Sequence, residues 1–127
     1  MKTFLILFLF TSLCCVQCKK ATFTGEKLTG KLIINGACDH YVIQLQKGKI
    51  DTANIESSWL DQSNDKTYTN VFTVANACSF GNYGLQQGDV FTFQIASNLP
   101  SETCSVCQIF VATPRKQNTI INVQKVQ

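Results

Sequence analysis

The chain has 127 residues, 45% hydrophobic and 15% charged, with 11 Lys and Arg against 8 Asp and Glu for a formal charge of +3. That length supports a single core. Its basic residues are scattered apart from Lys19-Lys20 and Arg115-Lys116, so no continuous stripe meets a phosphate backbone and nucleic acid is not an expected partner.

Lys2, the unbroken apolar run Phe4 to Phe10 and the small, mildly polar stretch Thr11 to Cys18 follow the order of an export signal. A membrane span asks for roughly 20 apolar residues, more than this run supplies, so membrane contact is expected only through a lipid. Two processing forms fit. Cleavage after Cys18, with Val16 and Cys18 three and one positions before the bond, gives a free secreted protein; alternatively Cys18 is the lipidated first residue, followed by Lys19-Lys20. The start Met-Lys-Thr-Phe-Leu-Ile-Leu-Phe-Leu-Phe with Cys18-Lys19-Lys20 resembles the lipoprotein signals of Bacteroidetes-type bacteria.

Either form loses Cys14 and Cys15 and keeps Cys38, Cys78, Cys104 and Cys107 in the folded part. Four cysteines in an exported domain read as two disulfides, with three pairings open. The expected division is a signal over 1–18, a tether over 19–29 and one β domain over 30–127.

Within that domain, Lys31 to Ile34 is a short strand and Asn35-Gly36 the expected hairpin turn. The returning strand is Cys38 to Leu45, ending at Lys47-Gly48-Lys49. From Ile50 to Lys66 the chain reads as a loop with one helical turn, because Ile55, Trp59 and Leu60 fall at helical spacing. Thr67 to Val74 is a strand with Tyr68, Phe72 and Val74 on one face and Val71 on the other. Ala75 to Gly88 reads as bends around Phe80 and Leu85. Asp89 to Ala96 alternates cleanly, Phe91, Phe93 and Ile95 against Val90, Thr92 and Gln94. Gln108 to Ala112 reads as the next strand, Pro114 to Gln117 breaks it, and Thr119 to Val126 closes the chain.

Five to six short strands with at most one short helix, and no helical crossover between them, predict an all-β, mainly antiparallel fold. A small barrel removes the exposed edges, and a small sandwich is the alternative. The order Gly30-Lys31-Leu32, Cys38 to Leu45, Tyr68-Thr69-Asn70-Val71-Phe72, Tyr83 to Phe93, a cysteine and a final strand resembles small exported OB-like barrel domains of bacterial lipoproteins. The resemblance implies an OB-like barrel in the cell envelope; most such domains have no assigned function.

Cys104-Ser105-Val106-Cys107 has the C-x-x-C spacing of thiol oxidoreductases, but that chemistry uses a helix N-terminus to lower the thiol pKa and a strand is expected here. Cys38, His40, Cys104 and Cys107 would form a three-sulfur, one-nitrogen zinc set, with Cys38 and His40 on one face of a regular strand. Export favours oxidation of those sulfurs, so structural bridges are the expectation and no metal or cofactor is assigned. Neither a Gly-x-Ser-x-Gly elbow nor a His-Glu-x-x-His motif occurs, and the spacing singles out no pair of carboxylates.

For binding, Tyr41, Trp59, Tyr68 and Tyr83 are the candidate ligand face, since OB-like barrels stack ligands on aromatic side chains; the ordinary alternative, and the favoured one for Trp59, is that it plugs one end of the barrel. The expected function is a non-enzymatic binding or accessory protein of the cell envelope, with a small ligand or a protein as partner. Alternatives are a secreted inhibitor or matrix protein that docks through a loop braced by Cys104, and a thiol-redox or zinc protein.

Overall fold

A computed structural model describes residues 25–97, 102, 107 and 109–127. The expected signal, Cys18 and Cys104 lie outside the described residues. Six strands and one helix follow as β1 (Leu28–Gly36), β2 (His40–Lys47), β3 (Glu56–Asp61), β4 (Lys66–Val74), α1 (Ala77–Gly81), β5 (Val90–Ala96) and β6 (Gln117–Lys125). The fold is all-β in one six-stranded sheet with a single short helix among the described residues.

Neighbouring strands run β2-β1-β5-β6-β4-β3, and β2 also pairs with β4. The pairings β1–β2, β2–β4, β4–β6, β6–β5 and β5–β1 therefore return to their starting strand. Of the six described strands, β3 alone hangs outside this circuit, on β4. The sheet is mixed: β4 and β6 run parallel through Thr73↔Gln117 and Val74↔Asn118, because α1 and β5 carry the chain across the fold before β6 returns beside β4. The other pairings are antiparallel, as expected.

Inside the circuit Leu32, Ile43, Phe72, Phe91, Phe93 and Ile120 are completely buried, and Phe80 of α1 joins them. Phe93 is the hub, with ring centroids 5.9 Å from Phe72 and 5.7 Å from Phe91. Gly30 is glycine because a Cβ there would stand 2.7 Å from Ile43 Cγ2 and 2.9 Å from Phe93 Cε1. A second cluster joins Ile33 of β1, Val42 of β2 and Val71 of β4, with Ile34, Trp59 and Tyr68 packed on it.

Two asparagines reset the alternation read from the sequence. Asn70 and Asn122 both have φ 53°, a left-handed conformation that asparagine tolerates better than most residues. Beyond Asn70 the phase changes, so Tyr68 and Val71 share the second cluster while Phe72 and Val74 face the first. At Asn122 the β5–β6 register shifts, and Val123 joins Ile120 on the core side. A further shift between Leu32 and Ile34 leaves Ile33 without a partner in the β1–β2 register and directs it to the second cluster.

Four local expectations are corrected. The first hairpin turns at Cys38 and Asp39, with φ 65° and 60°, while Asn35 and Gly36 remain in β1. Tyr41 Oη donates to Asp39 Oδ1 at 3.2 Å and His40 Nδ1 lies 3.0 Å from Ala37 O, which braces this turn. Residues 56–61 form β3 in place of the expected loop with a helical turn, because Trp59 pairs directly with Tyr68 and Asp61 closes the turn by accepting Ser63 N at 3.0 Å. The short helix lies instead at Ala77–Gly81, where Glu102 Oε2 accepts Cys78 N and Ser79 N at 3.0 and 3.2 Å. Finally, the described part of 107–112 is not a strand.

Asn76, 7% exposed, extends the short β4–β6 seam with its side chain. Its Nδ2 donates to Ile120 O at 2.7 Å and its Oδ1 accepts Ile120 N at 2.9 Å, copying a backbone pairing where β4 has ended. Asn76→Ala strands both Ile120 groups in a buried site and should cost about 2 to 3 kcal/mol in urea denaturation.

Across the fold, Asp89 Oδ1 lies 2.9 Å from Lys125 Nζ, and Asp89 Oδ2 accepts Gln86 N at 2.8 Å. The Gln86 N–H first, then Lys125, hold this carboxyl below its ordinary value. A depressed carboxyl pKa contributes stability above the unfolded value and loses it as pH falls through the folded one. The stability gap between wild type and Asp89→Asn should therefore narrow in thermal melts as pH is lowered from about 5 to about 3.

Candidate functional site

At the tip of the β1–β2 hairpin, Cys38 is bonded to Cys107, with S–S 2.04 Å, Cα–Cα 5.3 Å and a sequence separation of 69. The left-handed conformation of Cys38 belongs to the turn itself, so the hairpin tip is the anchor point. Cys78 is disulfide-bonded as well. These bonds are compatible with an extracellular protein.

The bond decides between the chemistries open to these cysteines. Cys107 Sγ is joined to Cys38, so it is not half of a C-x-x-C redox pair in this structure, and neither sulfur is a thiolate that could bind zinc. His40, expected beside Cys38 on a strand face, follows it across a turn with Nδ1 directed to Ala37 O. Among the described residues no three His, Cys, Asp or Glu side chains gather as a metal site.

Between Cys107 and β6, the described residues 109–114 form no strand or helix. Ile109 is 58% exposed and Phe110 94% exposed, whereas Val111 and Ala112 are half-buried. Pro114 is completely buried and fixes the far end: Thr73 Oγ1 donates to Pro114 O at 2.7 Å, and Arg115 N donates to Glu56 Oε1 at 2.7 Å. Two adjacent apolar side chains are thus displayed on a segment secured by a disulfide on one side and a buried proline on the other. Beside Phe110 lies a concavity of about 380 Å³ that reaches Asn35, Asp61 and Gln87.

The four aromatic residues named from the sequence divide into two pairs. Trp59 and Tyr68 stack across β3 and β4 with centroids 6.2 Å apart, and Lys66 Nζ lies 5.0 Å from the Tyr68 centroid. Both rings are half-buried against the second cluster, so Trp59 packs on Ile33, Val42 and Val71 and not on the Phe72–Phe91–Phe93 core. Tyr41 and Tyr83 instead flank Phe80, at 4.9 and 6.1 Å. Tyr41 is buried, and that burial, with the bond to Asp39 and its charge, raises the phenol pKa. Tyr83 is 44% exposed and borders a separate cleft formed by β5 and β6.

Ile109 and Phe110 were hidden in the sequence by an alternation that suggests a strand. Their visible signal is the apolar triplet Ile109-Phe110-Val111 lodged between a bridged cysteine and Pro114. The chain matches no family model, no curated protein and no solved structure among those compared with it.

Proposed function

We propose that this chain is an exported, disulfide-stapled binding protein of the cell envelope that docks onto a partner protein through Ile109 and Phe110 and carries no catalytic machinery of its own. The observation that carries the reading is Phe110, 94% exposed on a segment held by Cys38–Cys107 and Pro114. An aromatic ring left in water gives up about 2 to 3 kcal/mol that burial in a partner would recover. Anchoring both ends lowers the ordering cost of association, which favours display for binding over chance exposure. Export is supported by the Lys2 to Cys18 pattern and by the bonded cysteines. The two processing forms differ in a mass spectrum, as a mature N-terminus at Lys19 or a lipid on Cys18.

A photo-crosslinking residue placed at 110 in cells that make the protein should capture one discrete partner, and the same residue at exposed position 52, outside the concavity beside Phe110, should not. Equal labelling from both positions, or none from 110, would overturn the reading. Phe110→Ser should abolish capture from a crosslinker at 109 while changing the unfolding free energy measured in urea by no more than the range typical of surface changes, about 0.5 kcal/mol.

A further inference from the structure

We infer that the cleft between β5, β6 and Tyr83 is a second binding site, built for a pyranose sugar. The cleft has a volume of about 470 Å³ and is lined by Lys27, Tyr83, Gln94, Asn122, Val123 and Gln124. That size is in the range of small-molecule sites, roughly 300 to 1,000 Å³. The lining is three carboxamides, one phenol and one ammonium, with a single aliphatic side chain and no carboxylate. A carboxamide offers a donor and an acceptor in one plane, matching sugar hydroxyls, each of which also donates and accepts. An exposed tyrosine adds an apolar platform for the C–H face of a pyranose and a hydroxyl at its rim. One lysine without a basic companion is a poor cradle for a nucleotide phosphate, and one valine is a poor pocket for a lipid chain.

The polar groups are arranged before any ligand arrives. Asn122 is the left-handed residue at which the β5–β6 register shifts, and such bulges redirect side chains. Its Nδ2 donates to Gln94 Oε1 at 2.7 Å, while Gln94 Nε2 donates to Gly25 O at 3.4 Å. On the other side Lys27 Nζ donates to Gln124 Oε1 at 3.4 Å. Among the described residues, Asn122 Oδ1, Gln124 Nε2 and the Tyr83 hydroxyl keep hydrogen-bonding capacity for a ligand. Tyr83 leans on buried Phe80, centroids 6.1 Å apart, so its ring is positioned by the core yet 44% exposed. The cleft shares no lining residue with the concavity beside Phe110, so this site stands independently of the docking segment.

The test is a titration of the oxidised protein, ¹⁵N-labelled, with a panel of neutral hexoses, uronic acids and their short oligomers. At least one sugar should shift the side-chain amide signals of Gln94, Asn122 and Gln124 saturably, whereas a non-cyclic polyol at equal concentration should not. Tyr83→Ala and Gln124→Ala, both at exposed positions, should each weaken that binding about tenfold or more. Tyr83→Phe should lose less than Tyr83→Ala, since it keeps the stacking surface, and Phe110→Ser should change nothing. Amide shifts that do not saturate with any sugar, or binding that survives Tyr83→Ala unchanged, would overturn the proposal.

Discussion

Replacing Cys38 and Cys107 together by serine should remove about 4 kcal/mol of stability, the value chain entropy gives for opening a loop of this length. The bond spans a sequence separation of 69 and encloses β2, β3, β4, α1 and β5. Its release frees most of the domain in the unfolded state, while the native hairpin tip loses one contact between surface segments. Urea denaturation should therefore show a lower midpoint together with a steeper slope, because the unfolded chain becomes less compact. A cost below about 1 kcal/mol would mean that the unfolded chain is already held together by other constraints, such as the bond at Cys78. The same variant should weaken crosslinking through Phe110 even where it stays folded, since the segment would lose its tie at Cys107 to the hairpin tip.

Phe93→Ala should cost about 3 to 5 kcal/mol, the usual range for deleting a buried aromatic ring. Domains of this kind have only about 5 to 15 kcal/mol in total, so the variant should be near its unfolding threshold at 37 °C. The size follows from position. Phe93 is completely buried, meets both Phe72 and Phe91, and closes over Gly30, where no side chain can move in to fill the space. Phe93→Leu should cost markedly less, and Tyr83→Ala, at an exposed ring, should be close to neutral. Thermal melts of the three variants test this order; equal losses at 93 and 83 would show that the aromatic hub does not carry the core.

Most strands were legible because their residues obey simple rules. Phe91, Phe93 and Ile95 alternate without interruption, and β5 follows that pattern nearly to the residue. What escaped the sequence has local physical causes. In β3, Ser57 and Ser58 face solvent on a strand paired along one side only, so the composition does not announce a strand, and Ile55, Trp59 and Leu60 imitate a helical stripe. Conversely, Gln108 to Ala112 has the right alternation, yet the described residues 109–112 do not pair as a strand, and Cys107 just before them is tied to the hairpin tip. Asn35-Gly36 is the better turn dipeptide in isolation; the turn moves to Cys38-Asp39, where a disulfide and the Tyr41 hydroxyl offset the backbone cost. Of the candidate site, the even number of cysteines in the folded part pointed to bridging, but the pairing of Cys38 with Cys107 was not readable, because it depends on which segments the fold brings together. Nor was the display of Phe110, because burial depends on which strands remain to pair with the segment.

The parallel seam between β4 and β6 also has a kinetic meaning. It joins segments more than 40 residues apart through two residue pairs, and the chain between them must first lay down α1 and β5. Long-range pairing of this kind is expected to form late and to slow folding toward the millisecond-to-second range. Until it forms, β4 and β6 would each present an open edge to other chains. Asn76 acts at that step, so its loss should lengthen the time the nascent domain spends vulnerable to aggregation as well as lower its final stability.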